Sequence, residues 1–241
     1  MLCLQFAIGA ANDLADASRD RLTRSDKPLV AGLVRTGEAR AVLAVSALAG
    51  LAWAASAGIP ALALALTGLG DGLLYDLRLK GTALSWLPFA AGVALLPAYA
   101  WLGATGSLPP AFWAIALLAL LAGTSLALAN AVADLQHDAL AGVASVATVL
   151  GRRGSITANG LLLAVLQLAV AASTAAAGSY PLSAMAMAEA AGAVLGWAGL
   201  LATASANERL SRLGWEIQAV GVAVMGAAWM AILAAAGELA S

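Results

Sequence analysis

Two short stretches of this chain carry the same oxygen-bearing side chains at the same spacing. The first reads Asn12-Asp13-Leu14-Ala15-Asp16-Ala17-Ser18-Arg19-Asp20, the second Asn130-Ala131-Val132-Ala133-Asp134-Leu135-Gln136-His137-Asp138. Both are N-x3-D-x3-D, with Ala just before the middle Asp. On a helix, a step of four residues turns a side chain by only about 40° and moves it about 6 Å. Asn12, Asp16 and Asp20 therefore form one stripe, and Asn130, Asp134 and Asp138 another. Facing each other across a helical bundle, the stripes would gather four carboxylates and two amides, a charge that divalent cations relieve. Hard oxygen donors suit Mg2+, which keeps waters and shares itself with a substrate's phosphates. With Lys and Arg close by, this is the chemistry of a diphosphate site. One such motif at a helix end is ordinarily a solvated terminus; its recurrence at matching depth argues against that reading.

The elements that must position these groups are membrane helices. The 241 residues are 62% hydrophobic and 10% charged, with a mean hydropathy of +0.91, whereas about a quarter of a soluble domain is charged. Disorder, a coiled coil and a soluble globule are excluded. A net charge of −1 offers no footprint for nucleic acid, and Cys3, the sole cysteine, allows neither an intrachain disulfide nor a cysteine metal cage. The expectation is an all-α polytopic bundle forming one domain, residues 1–241. Apolar runs lie near Met1–Ala11, Ala39–Gly58, Pro60–Leu74, Leu84–Gly103, Pro110–Ala133, Ile156–Gly178, Pro181–Ser205 and Gly214–Gly237, which makes eight candidate spans. The first is short for the about 20 residues a crossing needs, and Pro60–Leu74 is marginal.

Charge sets the orientation. All twelve Lys and Arg fall in four places: Arg19 to Arg40, Arg78 with Lys80, Arg152 with Arg153, and Arg209 with Arg212. These alternate with connections that carry no basic residue, so the positive-inside rule puts the basic segments in the cytoplasm and the C-terminus outside an inner membrane. The Asp-rich cytoplasmic loops are expected at 12–38 and 134–155. Eleven of the thirteen acidic residues lie in or beside the basic segments; Glu189 and Glu238 do not. Glu189 is read as reaching the outer interface.

The two motifs resemble those of the UbiA superfamily of intramembrane prenyltransferases, N-D-x-x-D-x-x-x-D and D-x-x-x-D. Lys27-Pro28-Leu29-Val30-Ala31-Gly32 resembles the family's R-P-L-P-S-G-like turn, with Lys in place of Arg. Tyr75-Asp76-Leu77-Arg78-Leu79-Lys80 resembles its Tyr-x4-Lys loop, and Gly142-Val143 through Leu150-Gly151-Arg152-Arg153 the stretch that closes the second Asp segment. The resemblance implies nine helices around a cavity open sideways to lipid, so eight spans correspond to an N-terminally shortened member. It implies Mg2+ held by Asn12, Asp16, Asp20, Asn130, Asp134 and Asp138, a polyprenyl diphosphate donor, and a small hydrophobic or aromatic acceptor in the bilayer. Arg24, Lys27, Tyr75 and Lys80 become candidate substrate-binding residues, with interfacial anchoring the alternative for the basic ones. Asp71, four residues before Tyr75, shares its helix face and is the candidate catalytic residue.

Ionising an allylic diphosphate builds charge on the leaving group, which cations stabilise, while an apolar cavity shields the carbocation-like partner from water. A transporter with a duplicated acidic motif is the alternative from another class, but both stripes stand at one membrane face and not at mid-depth. A CDP-alcohol phosphotransferase would carry an Asp-Gly-Ala-Arg signature, which is absent. A catalytically impaired UbiA-like protein is the third reading.

Overall fold

Hydrocarbon offers the backbone no water to bond, so an apolar run that crosses it closes its hydrogen bonds within a helix. The computed structural model, which describes residues 1–23, 26–110, 112–140, 142–177 and 183–236, follows that rule. Its helices are α1 (Leu2–Thr23), α2 (Thr36–Ser56), α3 (Ile59–Leu74), α4 (Trp86–Thr105), α5 (Phe112–Ala133), the short α6 (Leu135–Leu140), α7 (Val146–Ala176), α8 (Ser183–Thr203) and α9 (Glu208–Ala235). A π-helical turn, Tyr75–Leu79, follows α3, and no strand occurs among the described residues.

The eight long helices correspond to the eight apolar runs. Six of them (α2, α4, α5, α7, α8 and α9) are long and apolar enough to span a bilayer. The other two fall short for plain reasons: α1 carries the first Asp motif, and α3 has 16 residues. Large apolar side chains such as Leu48, Trp53, Trp113, Leu168 and Leu201 point outward, as lipid-facing positions should.

The two segments expected as loops are partly helical. Residues 12–23 continue α1, and α6 with the start of α7 takes up much of 134–155. Helix α7 starts ten residues before the apolar run because Ser145 stands in extended conformation at its N-cap, and Gly151 at φ 70° kinks it there. Helix α9 likewise starts early: the Asn207 side chain accepts the Leu210 amide at 3.1 Å.

Packing divides the chain into two compact units. The first comprises Met1–Lys80 and Leu95–Leu108. In it α1 lies against α2 and α3, with Leu4 seated on Gly50 and Ile8 on Gly72; a Cβ at either glycine would fall within 2.7 Å of those side chains. Leu4, Ala54 and Ala65 form its buried centre, flanked by Leu51, Leu69 and Tyr99.

The second unit comprises Gly81–Ala94 and Pro109–Ser241. Its tightest contact is α8 on α9, where Gly192 and Gly199 meet Gly214 and Gly221 so closely that any Cβ would strike backbone at 2.2–2.5 Å. Small residues let membrane helices approach in this way and gain dispersion contacts. Leu128, Val132 and Ala147 join α5 to α7. Between α5, α7 and α9 a fully buried polar triad closes on itself. Ser125 Oγ donates to Asn159 Oδ1 at 2.6 Å, Asn159 Nδ2 to Gln218 Oε1 at 3.1 Å, and Gln218 Nε2 to Ser125 Oγ at 2.9 Å.

Candidate functional site

Helix α1 carries Asn12, Asp16 and Asp20 on one stripe, as their spacing predicts, and continues without a break to Thr23. Asp16 and Asp20 are buried, an expensive state for carboxylates unless cations accompany them. Two lysines do so. Lys80 Nζ donates to both Asn12 Oδ1 and Asp16 Oδ2. Lys27 Nζ donates to Asp13 Oδ1 at 3.0 Å and lies 2.8 Å from Asp20 Oδ2.

Local backbone delivers both lysines. The π turn closes with the Lys80 amide donating to the Tyr75 carbonyl at 2.7 Å, an i to i+5 bond that brings the Lys80 ammonium 6.0 Å from the Tyr75 ring centroid. Lys27 opens a compact turn in which the Ala31 amide donates to its carbonyl and Gly32 takes φ 73°. Burial works to lower the Lys27 pKa, but the Asp20 and Asp13 carboxylates outweigh it and leave the ammonium favoured.

Asp71 stands one turn before Tyr75, whose amide donates to its carbonyl, so the two share a face as expected. Arg24 lies outside the described residues. Two groups that the motif pattern does not single out belong to this cluster. Asp13 shares Lys27 with Asp20; its place inside the first motif is the signal that points to it. Asp76 is buried in the π turn with no hydrogen bond to Oδ2. Its carboxyl is pushed up to about 6 by burial first and by Asp16 and Asp13 next, against the pull of Lys80. No local pattern marks it, because an Asp beside a Tyr at a helix end is ordinarily solvated.

In the second unit Asn130 lies near the end of α5 and Asp138 in α6, with Asp134 at the junction. The helical bonding runs through that junction: the Asp134 amide donates to the Asn130 carbonyl at 3.1 Å and the Asp138 amide to the Asp134 carbonyl at 2.9 Å. The stripe therefore survives the change of helix. Arg212, from the start of α9, approaches Asp134 Oδ1 at 4.0 Å. Arg152 Nη2 donates to the carbonyls of Thr203 and Ser205, capping the end of α8.

Among the described residues no three His, Cys, Asp or Glu side chains are gathered tightly enough to hold a metal ion. In the first unit, lysine ammonium groups occupy the positions between the oxygens where a cation is needed. The donors are carboxylates and amides, a set that suits a hard divalent ion such as Mg2+.

The profile of the UbiA prenyltransferase family matches residues 1–213. The chain belongs to that family. The UbiA architecture is equally plain in solved structures. A UbiA homologue from Aeropyrum pernix K1 in its apo form superposes with a TM-score of 0.68 at 22% identity, over 95% of this chain and 85% of that one. A UbiA homologue from Archaeoglobus fulgidus bound to DMAPP and Mg2+ gives 0.68 at 20% identity, over 95% and 83%. A structure of digeranylgeranylglyceryl phosphate synthase gives 0.69 at 16% identity, over 95% and 84%. At these identities the likeness speaks for the fold. No curated protein sequence matches the chain.

Proposed function

We propose that this UbiA-family chain transfers a polyprenyl group from a polyprenyl diphosphate to a small hydrophobic or aromatic acceptor within the membrane, with Mg2+ as cofactor. The observation that carries the proposal is the pair of lysines seated among the oxygens of the first motif. They balance buried carboxylates with cations in the segment that resembles the family's first motif. The A. fulgidus homologues bound to GPP or DMAPP with Mg2+ support the choice of donor and metal.

In this reading Asn12, Asp16 and Asp20 from the first motif, and Asn130, Asp134 and Asp138 from the second, hold the metal ions. Bound Mg2+ supplies electrophilic stabilisation of the charge that builds on the departing diphosphate. Lys27 and Lys80, on flexible stems, exchange their carboxylate contacts for phosphate oxygens when the donor binds, and Arg24 joins them. The Tyr75 ring, beside Lys80, borders the allylic end of the donor. The bond from allylic carbon to oxygen breaks, the acceptor's electron pair forms the new bond, and Asp71 takes the proton the acceptor loses. The apolar helices keep water from the cationic carbon. The basic segments face the cytoplasm.

The test is prenyl transfer by the purified chain in lipid nanodiscs, with geranyl diphosphate and a panel of phenolic and other apolar acceptors. Release of diphosphate coupled to a prenylated product, abolished by EDTA and restored by Mg2+, is expected. Intact donor with every acceptor at saturating Mg2+ would overturn the proposal.

A further inference from the structure

Within the second unit, α7 and α8 line an open cavity that includes none of the Asp-motif residues. The two helices touch where Gly160 faces Trp197 and Leu200, and where Gly196 faces Leu163 and Gln167. Beyond that contact, toward the end remote from the basic segments, they leave a cavity of about 510 Å3 whose walls include Ala164, Leu168, Ala171, Ala193 and Met225. That volume lies in the range of sites that take small ligands, about 300–1,000 Å3.

Three interhelical hydrogen bonds bracket it, two at one end and one at the other. At the inner end Trp197 Nε1 donates to Gln167 Oε1 at 2.8 Å, and Gln167 Nε2 donates to the Ala193 carbonyl at 3.1 Å, so both ends of that amide are engaged. At the other end Thr174 Oγ1 donates to Glu189 Oε2 at 2.9 Å. Among the described residues Thr174 is the sole hydrogen-bond partner of Glu189, and Glu189 lines the cavity.

A carboxylate within an apolar helix calls for a cationic partner. The chain has no Lys, Arg or His anywhere between Arg153 and Arg209. Glu189 stands about 9 Å along α8 from Ser183, in the half of the helix remote from the basic segments, and is half-buried. We infer that the α7–α8 cavity binds a phospholipid with a primary ammonium headgroup, the ammonium on Glu189 and one acyl chain in the alanine-lined cavity. The site shares no residue with the Asp motifs and does not depend on the proposed reaction.

Native mass spectrometry of the chain released from nanodiscs of equimolar phosphatidylethanolamine and phosphatidylglycerol reads this directly. The unaltered chain should retain phosphatidylethanolamine over phosphatidylglycerol by about fivefold or more. Glu189→Gln should bring that ratio close to one, and Ala171→Phe, which fills the cavity and leaves Glu189 in place, should abolish retention of either lipid. Replacing phosphatidylethanolamine by phosphatidylcholine, which keeps the charge but has no N–H, should lower retention of the unaltered chain to the phosphatidylglycerol level; this arm needs no variant to fold. Equal retention of the two lipids by the unaltered chain, a ratio unchanged in Glu189→Gln, or phosphatidylcholine held as well as phosphatidylethanolamine would each overturn the assignment.

Discussion

Lys80 donates to the carboxylate of Asp16 across 64 positions of sequence, and the same ammonium reaches Asn12 one helical turn away. A lysine thus holds the centre of the first oxygen stripe. It neutralises a buried carboxylate, and in the proposed function it stands where a metal ion would have to bind.

Lys80→Met should therefore have effects of opposite sign. Without metal, the variant should be less stable by about 1–3 kcal/mol, because the buried Asp16 carboxylate loses the Lys80 ammonium. Mg2+ alone should bind it about three- to tenfold more tightly than the unaltered chain, the equivalent of one lost ion pair of about 1 kcal/mol. Thermal melts in detergent with and without Mg2+ measure both. Weaker Mg2+ binding by the variant would show that Lys80 does not compete with the metal.

Asp16→Ala and Asp138→Ala, one from each stripe, should each reduce prenyl transfer by about a hundredfold or more, as removal of a group that stabilises developing charge does. Both lie in the polar segments that follow the apolar spans, so membrane insertion should be unaffected. Product formation by membranes that contain equal amounts of each variant tests this; full turnover in either one rules out its stripe as a metal site.

Asp76 gives the metal-free chain a pH dependence. Its folded pKa of about 6 lies above the ordinary 3.8, so between those values the folded state binds the proton more tightly. The stability it contributes is complete below about pH 4 and is lost as pH rises through about 6. Asp76→Asn should remove that component. The stability difference between the variant and the unaltered chain should then shift in favour of the variant from pH 4 to pH 7, as read by chemical unfolding in EDTA.

Asn159→Leu should destabilise the second unit by about 1–3 kcal/mol, since it takes the acceptor from the fully buried Ser125 hydroxyl and the donor from the Gln218 carbonyl oxygen. The triple change Ser125→Ala, Asn159→Leu, Gln218→Leu should recover much of the loss, because no polar group is left unpaired. Unfolding in SDS that shows simple additivity of the three changes would contradict the closed triad.

Gly199→Ala places a Cβ 2.4 Å from the Gln218 amide nitrogen, whereas Gly226 has open space around it. The first change should force α8 from α9 at a cost of about 1–3 kcal/mol. The second should be neutral or stabilising by up to about 1 kcal/mol, from helix propensity. Melting temperatures of the two variants, compared directly, are the measurement.

Much of this chain is legible in its sequence. Apolar runs of about 20 residues have one backbone solution in hydrocarbon, so eight long helices follow from composition. The stripes Asn12–Asp16–Asp20 and Asn130–Asp134–Asp138 follow from helical period, a local property that persists even across the α5–α6 junction. The helix ends are less legible: Ser145, Gly151 and Asn207 shift the starts of α7 and α9 through backbone angle and capping, which hydropathy does not register. Tertiary structure alone decides which cation meets which carboxylate. Lys80 finds Asp16 because a π turn aims it there, and Asp76 is buried by the same turn. It also decides that Ser125, Asn159 and Gln218 close on one another, and that Glu189 borders a cavity. The reason is that sequence period reports which face a residue takes on its own helix, while an ion pair or a cavity depends on how separate helices pack, and that is set by the sum of many small contacts along their whole length.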